Sequence, residues 1–341
     1  MDQPVKILAI QFKYFGDTVF MIPALRAIRE RWPGCALHAL VPEEVAPILN
    51  HLPWLNRVWP MPRRRGRVHF KETWPIVRAL RSERFERSVD FGGNDRGAIL
   101  SLLCGARHRL GPCYPGGFIG RPLCYTQRLA PAPLEQHESV RLLHILSGWG
   151  IAPPATIQVE IHTDAAQDAA AALVLPRRTI ICHLTAGKPK KEWPIRHWAA
   201  LYQMAAATGL RMTFTTGKGA REESLVGGLK ELLPDAPVLS FVPDLGAFLS
   251  LLKRGEVFIS GDTGPLHFAA GLGVPTLALF GPTSATQWAP IGARHHVLIG
   301  SRCDCDRRSN VCHSASHCLA AITPEQVFTQ LQKLSARANP R

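Results

Sequence analysis

The sequence predicts an α/β protein built from two consecutive doubly wound units, and three observations carry that prediction. Strand and helix signals alternate from the first residues to about residue 149. The alternation stops at Gly150-Ile-Ala-Pro-Pro-Ala155 and then restarts. Finally, residues 264–293 hold no Lys, Arg, Asp or Glu, in a chain of which 19% is charged. An uncharged run of that length suggests a membrane helix. Glycines 264, 271, 273, 281 and 292 and prolines 265, 275, 282 and 290 break it too often for one helix. It parses instead as strand, turn, short helix, turn and buried parallel strand.

In the first half, strands are expected over 6–10, 36–41, 57–61 and 87–91. Helices fall over 19–31, 74–84, 95–104 and 137–149. Strands alternating with helices of this length imply a parallel sheet. In the second half, helices are expected over 164–174, 195–208, 221–233 and 244–252, and strands over 179–184, 211–215 and 238–241. The uncharged run follows, with strands at 256–260 and 275–280 around a helix at 266–272. A last helix opens with Thr323-Pro-Glu-Gln326, a Thr cap with Pro first and Gln third. These elements divide the chain into 1–152, 153–322 and a C-terminal helix and tail over 323–341. Two such units of similar size suggest Rossmann-like domains facing each other across a central cleft.

Composition bounds the function. A chain of 341 residues with 46% hydrophobic content is long enough for two cores and reads as globular. The N-terminus reads as a first strand rather than a signal peptide, and no segment reads as a membrane span, so a cytoplasmic location is expected. The formal net charge is +14. Residues 57–87 alone carry ten basic and three acidic residues, half of that net charge. Such a patch expects an anionic partner: nucleic acid, phospholipid headgroups or an acidic substrate. Of nine cysteines, five are scattered among apolar segments, as buried thiols are. Cys303, Cys305, Cys312 and Cys318 lie within sixteen residues beside His313 and His317. Their spacing matches no standard zinc knuckle; a structural zinc or iron and plain thiols are both open.

Motifs of several enzyme classes are absent: no G-x-x-x-x-G-K-[ST], no H-E-x-x-H and no G-x-S-x-G. In Gly217-Lys-Gly-Ala-Arg-Glu222 a glutamate stands where a dinucleotide fingerprint wants glycine. Three loops remain at the carboxyl ends of expected strands, where open α/β sheets bind ligands. They are Gln11-Phe-Lys-Tyr-Phe-Gly-Asp17, Thr185-Ala-Gly-Lys-Pro-Lys-Lys-Glu-Trp-Pro194 and Gly261-Asp-Thr-Gly264. In the third, the N–H groups of Thr263, Gly264 and Leu266 and the helix dipole are expected to form an anion site. The alternative is an ordinary crossover turn, for which Asp262 and His267 are expensive ornaments.

The chain resembles glycosyltransferase family nine, the ADP-heptose:lipopolysaccharide heptosyltransferases, over nearly its whole length. The resemblance rests on Phe15-Gly-Asp-Thr-Val with Pro23-Ala-Leu-Arg26, on Lys191-Glu-Trp-Pro194, and above all on Gly261-Asp-Thr-Gly-Pro-Leu-His267 with Leu279-Phe-Gly-Pro-Thr283. It implies a GT-B architecture and an inverting, metal-independent transfer that requires no cofactor. It implies donor binding by Thr185, Ala186, Gly187, Lys191, Glu222, Asp262, Thr263, Gly264 and His267. Asp17 is implied as the base, and Arg63, Arg64, Arg65, Arg67 and Arg121 as contacts to an anionic lipopolysaccharide-core acceptor or to the inner face of the inner membrane, as a peripheral protein. The donor loop departs from the family, reading Thr185-Ala-Gly187 where Thr or Ser pairs are common.

The chemistry of the residues agrees. Expelling a nucleoside diphosphate needs positive charge on the leaving group, which Lys191 and the helix N–H groups supply without an acid. Asp262 is itself negative and is expected to accept from sugar hydroxyls. His267 reads either as a donor to phosphate or sugar or as a packing histidine. Asp17 reads either as the base or as the cap of a helix beginning near Thr18. Two other classes stay open: a basic nucleic-acid-binding protein, for which no recognisable motif appears, and a non-catalytic sugar-nucleotide binder.

Overall fold

The computed structural model describes residues 5–63, 70–239, 241–302, 312 and 317–338. The chain forms two compact units, Met1–His162 and Thr163–Arg341.

The first unit holds six strands: β1 (Lys6–Ile10), β2 (Ala36–Pro42), β3 (Arg57–Met61), β4 (Arg87–Asp90), β5 (His108–Pro112) and β6 (Gln127–Leu129). They pair in the order β3-β2-β1-β4-β5-β6, every pair parallel. The connecting helices are α1 (Phe15–Arg31), α2 (Phe70–Ser82), α3 (Asp95–Leu103) and α4 (Glu138–Ile145). Side chains alternate across the sheet. Leu8 and Ile10 of β1 join Leu40, Trp59, Val77, Leu80, Phe85 and Leu100 in one core cluster against α2 and α3. Ile7 and Ala9, fully buried as well, point to the other face. Right-handed crossovers place α1 there, because the chain steps from β1 to β2 in the opposite sense from β4 to β5.

The second unit repeats the plan. Its strands are β7 (Thr179–His183), β8 (Arg211–Thr215), β9 (Gly255–Gly261), β10 (Thr276–Phe280) and β11 (His295–Ile299), in the order β11-β10-β9-β7-β8, again all parallel. The helices are α5 (Ala165–Val174), α6 (Ile195–Ala207), α7 (Ala220–Leu232), α8 (Leu245–Leu252), α9 (Gly264–Gly271), α10 (Ala285–Trp288) and α11 (Pro324–Ala338). Its core is separate and runs from Ile180, Cys182 and Phe214 through Trp193 and Trp198 to Val327 and Leu331 of α11.

Several boundaries differ from expectation for physical reasons. The expected strand over 238–241 is reduced, among the described residues, to one parallel bridge between Val238 and Phe214 of β8. Counted as a strand, it would give this sheet the same relative order as the first. β5, β6 and β11 were not anticipated; they are short and contain Gly, Pro, Gln or His, which weakens a strand signal. Helix α1 begins at Phe15 rather than near residue 19 and runs through Pro23. The units part after His162, seven residues beyond the end of the Pro-rich break at Ala155. Glu160 ties that extra segment to the first unit by accepting from Arg26 Nη1 at 3.0 Å and Trp54 Nε1 at 2.6 Å.

Candidate active site

In each sheet the chain leaves neighbouring strands in opposite directions at one place, the topological switch point where open α/β sheets take ligands. In the first unit it lies between β1 and β4, and in the second between β7 and β9. The three candidate loops follow β1, β7 and β9.

In the second unit, Gly261 ends β9 hard against the β7 loop. A Cβ there would stand 2.4 Å from the Lys191 carbonyl oxygen, so only glycine allows the approach. That contact seats Lys191 beside Asp262: Nζ donates to Oδ2 at 2.6 Å. His267, on the first turn of α9, places Nε2 3.8 Å from the other carboxylate oxygen. Asp262 and His267 are both buried. Burial opposes ionisation of Asp262, but the neighbouring His267 and the Lys191 ammonium hold its carboxyl far below the usual range. The three side chains therefore form one cluster, built on the Lys191–Asp262 ion pair, at the N-terminus of α9. Thr263 is the N-cap and Gly264 the first helical residue. The Leu266 N–H, expected to be open to an anion, donates to the Thr263 carbonyl at 3.2 Å. The helix end thus offers its donors from Thr263 and Gly264, not from Leu266.

The β7 loop is held by its own network. His183 stacks on Phe258 and is kept neutral by burial, its pKa lowered to about 4. Its Nδ1 pairs with Thr215 Oγ1 at 2.9 Å and its Nε2 with Thr185 Oγ1 at 3.2 Å. Thr185 Oγ1 in turn accepts from the Gly217 N–H at 3.0 Å. The Ala186 N–H donates to Glu192 Oε1 at 3.0 Å, and the Ala186 carbonyl accepts from Arg221 Nη2 at 2.7 Å. Arg221 also bridges Glu192 at 3.1 Å and Glu222 at 2.8 Å. Burial works against the Glu222 charge, yet Arg221 holds its pKa below the ordinary value. Gly187 stays exposed at the loop tip. Thr185, Ala186, Glu222 and Gly187 are thus gathered at one strand end, and Lys191, Asp262, Thr263, Gly264 and His267 at the neighbouring one.

In the first unit, Asp17 is the third residue of α1, not its cap; the N-cap is Tyr14. Asp17 Oδ2 accepts from the Tyr14 N–H at 3.1 Å, a capping contact, while Oδ1 faces Lys13 Nζ at 3.9 Å. One oxygen thus makes a capping contact from within the first turn, and the other is turned toward a cation. Burial raises the Asp17 pKa; Lys13 offsets part of this, and the Glu138 charge adds to it. Glu138, almost completely buried at the start of α4, lies 3.9 Å from Lys13 Nζ and pairs with Arg141. Arg63 donates to the Lys13 carbonyl at 2.6 Å and pairs with Glu44 at 2.7 Å, so it stands beside the Asp17 loop. Arg121 is buried, and its guanidinium is committed to the Tyr114 and Gly93 carbonyls and to Asp95. That placement makes it the anchor of its own loop.

Arg64, Arg65, Arg67, Cys303 and Cys305 lie outside the described residues. Cys318 is buried, its carbonyl accepting from the Ser301 N–H at 3.1 Å, and Cys312 is half-buried. Among the described residues no group of three His, Cys, Asp or Glu is placed to hold a metal. Sequence reasoning passed over Lys13, Glu138, Glu192 and Arg221. Lys13 and Glu192 sit inside the quoted motifs, so proximity to Asp17 and to Lys191 was the available signal. Glu138 had none, being brought in only by the packing of α4 on α1.

The profile of Glycosyltransferase family 9 (heptosyltransferase) matches residues 73–315. That span contains the donor loops; Asp17 and Arg63 precede it. The Escherichia coli K12 protein named Lipopolysaccharide heptosyltransferase 2 is 22% identical over 344 residues, covering 97% of this chain and 98% of that protein. The solved glycosyl transferase family 9 protein of Veillonella parvula DSM 2008 superposes with a TM-score of 0.86 at 18% identity, covering 99% of each chain. The E. coli heptosyltransferase WaaC, solved with ADP-2-deoxy-2-fluoro heptose, gives 0.73 at 22% identity and covers 96% of this chain and 99% of that one. These likenesses show the fold to be the GT-B type of paired α/β domains.

Proposed function

The chain belongs to glycosyltransferase family 9, the heptosyltransferases, and from that premise we propose that it moves a heptose from an ADP-activated donor onto an anionic sugar of the lipopolysaccharide inner core. The observation that carries the proposal is the cluster of Lys191, Asp262 and His267 at the N-terminus of α9, at the switch point of the second sheet. A diphosphate at that helix end meets the N–H groups of Thr263 and Gly264 and the Lys191 cation. Asp262, ionised and hydrogen-bonded, fixes the Lys191 ammonium in place and offers acceptor oxygen to the sugar hydroxyls. Thr185, Ala186, Gly187 and Glu222 form the flank on which the nucleoside lies.

The transfer is a single inverting displacement. The acceptor hydroxyl oxygen bonds to the anomeric carbon as the bond from that carbon to the diphosphate oxygen breaks. The bonding pair leaves with ADP, and the acceptor proton passes to Asp17. Lys191 and the helix dipole offset the charge that grows on the leaving diphosphate, so the chemistry calls on no metal ion. A carboxylate whose pKa is raised by burial is a stronger base than one in water, which suits Asp17 to that role. Arg63 beside it, with the arginines at 64, 65 and 67, supplies the positive surface for the acceptor's sugar acids and phosphates. No described helix is long and apolar enough to cross a membrane. Access to a lipid-anchored acceptor is then peripheral, at the cytoplasmic face of the inner membrane.

Replacing Asp17 by Asn tests the assignment. Transfer from ADP-heptose to a deacylated core acceptor should fall about 10²–10⁴-fold, with ADP affinity by calorimetry unchanged. Transfer within a few-fold of wild type would remove Asp17 as the base.

A further inference from the structure

The first unit exposes large apolar side chains in one place. Ile119 is fully exposed and Leu123 80% exposed, in the loop after β5; Phe118 beside them is exposed, as are Ile99 and Leu102 on α3. The loop is strapped to that helix. The Phe118 N–H donates to Asp95 Oδ1 at 3.2 Å, Arg121 reaches the same oxygen at 3.5 Å, and Cys124 and Tyr125 pack on Ala98. The strapped loop thus carries Ile119 and Leu123 alongside α3, on which Ile99 and Leu102 stand three residues apart on one face. Buried Arg121 holds the loop in this shape, so the exposure is built and not a fraying end. Scattered surface aliphatics need no explanation, but five exposed apolar side chains on one loop and the helix it is strapped to mark an interaction surface.

The charge around the row says what it meets. Residues 95–128 contain Arg96, Arg107, Arg109, Arg121 and Arg128 against a single acid, Asp95. Arg107 and Arg128 are exposed. The start of the helix that carries Ile99 and Leu102 adjoins the acceptor loops: the Asn94 cap of α3 donates to the Phe12 carbonyl at 3.1 Å, and Arg96 to the Pro62 carbonyl at 3.3 Å. Exposed apolar side chains in a segment whose exposed arginines, Arg107 and Arg128, face no acid but Asp95 in the same stretch match the boundary of an anionic bilayer, where apolar groups enter the acyl layer and cations meet headgroup phosphates. The geometry points to the row Ile99, Leu102, Phe118, Ile119 and Leu123 as a bilayer-docking surface that sets Asp17 and Arg63 over a lipid-anchored acceptor. This rests on the acceptor proposed above.

The test uses the full chain, wild type and I119S/L123S, sedimented with vesicles of phosphatidylcholine mixed with phosphatidylglycerol and with vesicles of phosphatidylcholine alone. Both replaced residues are exposed, so the fold should persist, which circular dichroism checks. Wild type should partition onto the mixed vesicles, and the double variant about tenfold less. Transfer to deacylated, water-soluble acceptor should be equal in the two proteins, a readout that reports the proposed activity independently of docking. Wild type remaining in the supernatant, or a variant that sediments equally well, would overturn the docking surface. Equal binding to phosphatidylcholine alone would overturn its anionic preference. A concentration-dependent dimer by light scattering, lost in the variant while vesicle binding persists, would assign the row to a second copy of the chain.

Discussion

The proton affinity of Asp17 is set by groups on two helices. Its own helix supplies the Tyr14 N–H and, just before it, Lys13, both of which favour the charged form. The helix packed against it, α4, supplies Glu138, which opposes that form, and Arg141, which neutralises much of Glu138. The Tyr114 ring lies under Lys13 Nζ at 5.5 Å. Burial dominates, and the pKa is raised. A raised pKa means that the base is protonated, and transfer lost, at a higher pH than for an exposed aspartate. Glu138→Gln removes an opposing charge and releases Lys13 to act more strongly on Asp17; both effects lower its pKa. The acid limb of kcat/KM against pH should move to lower pH, with the high-pH plateau within a few-fold of wild type. A limb that stays in place would show that Glu138 serves only to hold α4. A shift upward would reverse the assigned sign.

At the scale of elements, the strand ends determine which parts of the site the sequence disclosed. Runs rich in β-branched and aliphatic residues marked β1, β7, β9 and β10, and their following loops carried the motifs; the sites after them were readable for that reason. The Lys191–Asp262 pair joins residues 71 positions apart and needed the register of β7 on β9. The open Leu266 N–H was an error of one position, since a donor count at a helix end depends on which residue caps it. Val238 shows the opposite failure: the residues favour a strand, but among the described residues the edge of the sheet gives them one bridge. Gly261 makes the dependence on register testable. Gly261→Ala puts a methyl group against the Lys191 carbonyl, and backbone cannot yield as a flexible side chain does. The β7 loop should shift away from α9, weakening ADP binding by about tenfold (about 1.4 kcal/mol). Calorimetric titration with ADP reads this directly, and unchanged affinity would mean that the Lys191–Asp262 approach does not govern the nucleotide site.

Across the whole molecule, one plan is used twice, with different cargo at the equivalent position. Each sheet opens its switch point beside its first strand; in one unit that point holds a nearly buried carboxylate and arginine, and in the other a lysine, a helix end and a hydrogen-bonded loop. Alternating strand and helix signals made the repetition legible. The exact unit boundary was not, because Glu160 is tied to the first unit by contacts with Arg26 and Trp54, more than a hundred residues earlier. The division of labour has a consequence for the parts. Every residue assigned to the donor, from Thr185 to His267, belongs to Thr163–Arg341, and that unit has its own sheet and a core closed by α11. Expressed alone, it should fold cooperatively and bind ADP within a few-fold of the full chain while transferring nothing, since the base is absent. The comparison requires two measurements on one preparation: a thermal transition to establish folding, and a calorimetric titration to establish affinity. A folded fragment that fails to bind ADP would place part of the nucleotide site on the first unit, and the assignment of Lys191, Asp262 and His267 as a self-sufficient diphosphate cradle would fall with it.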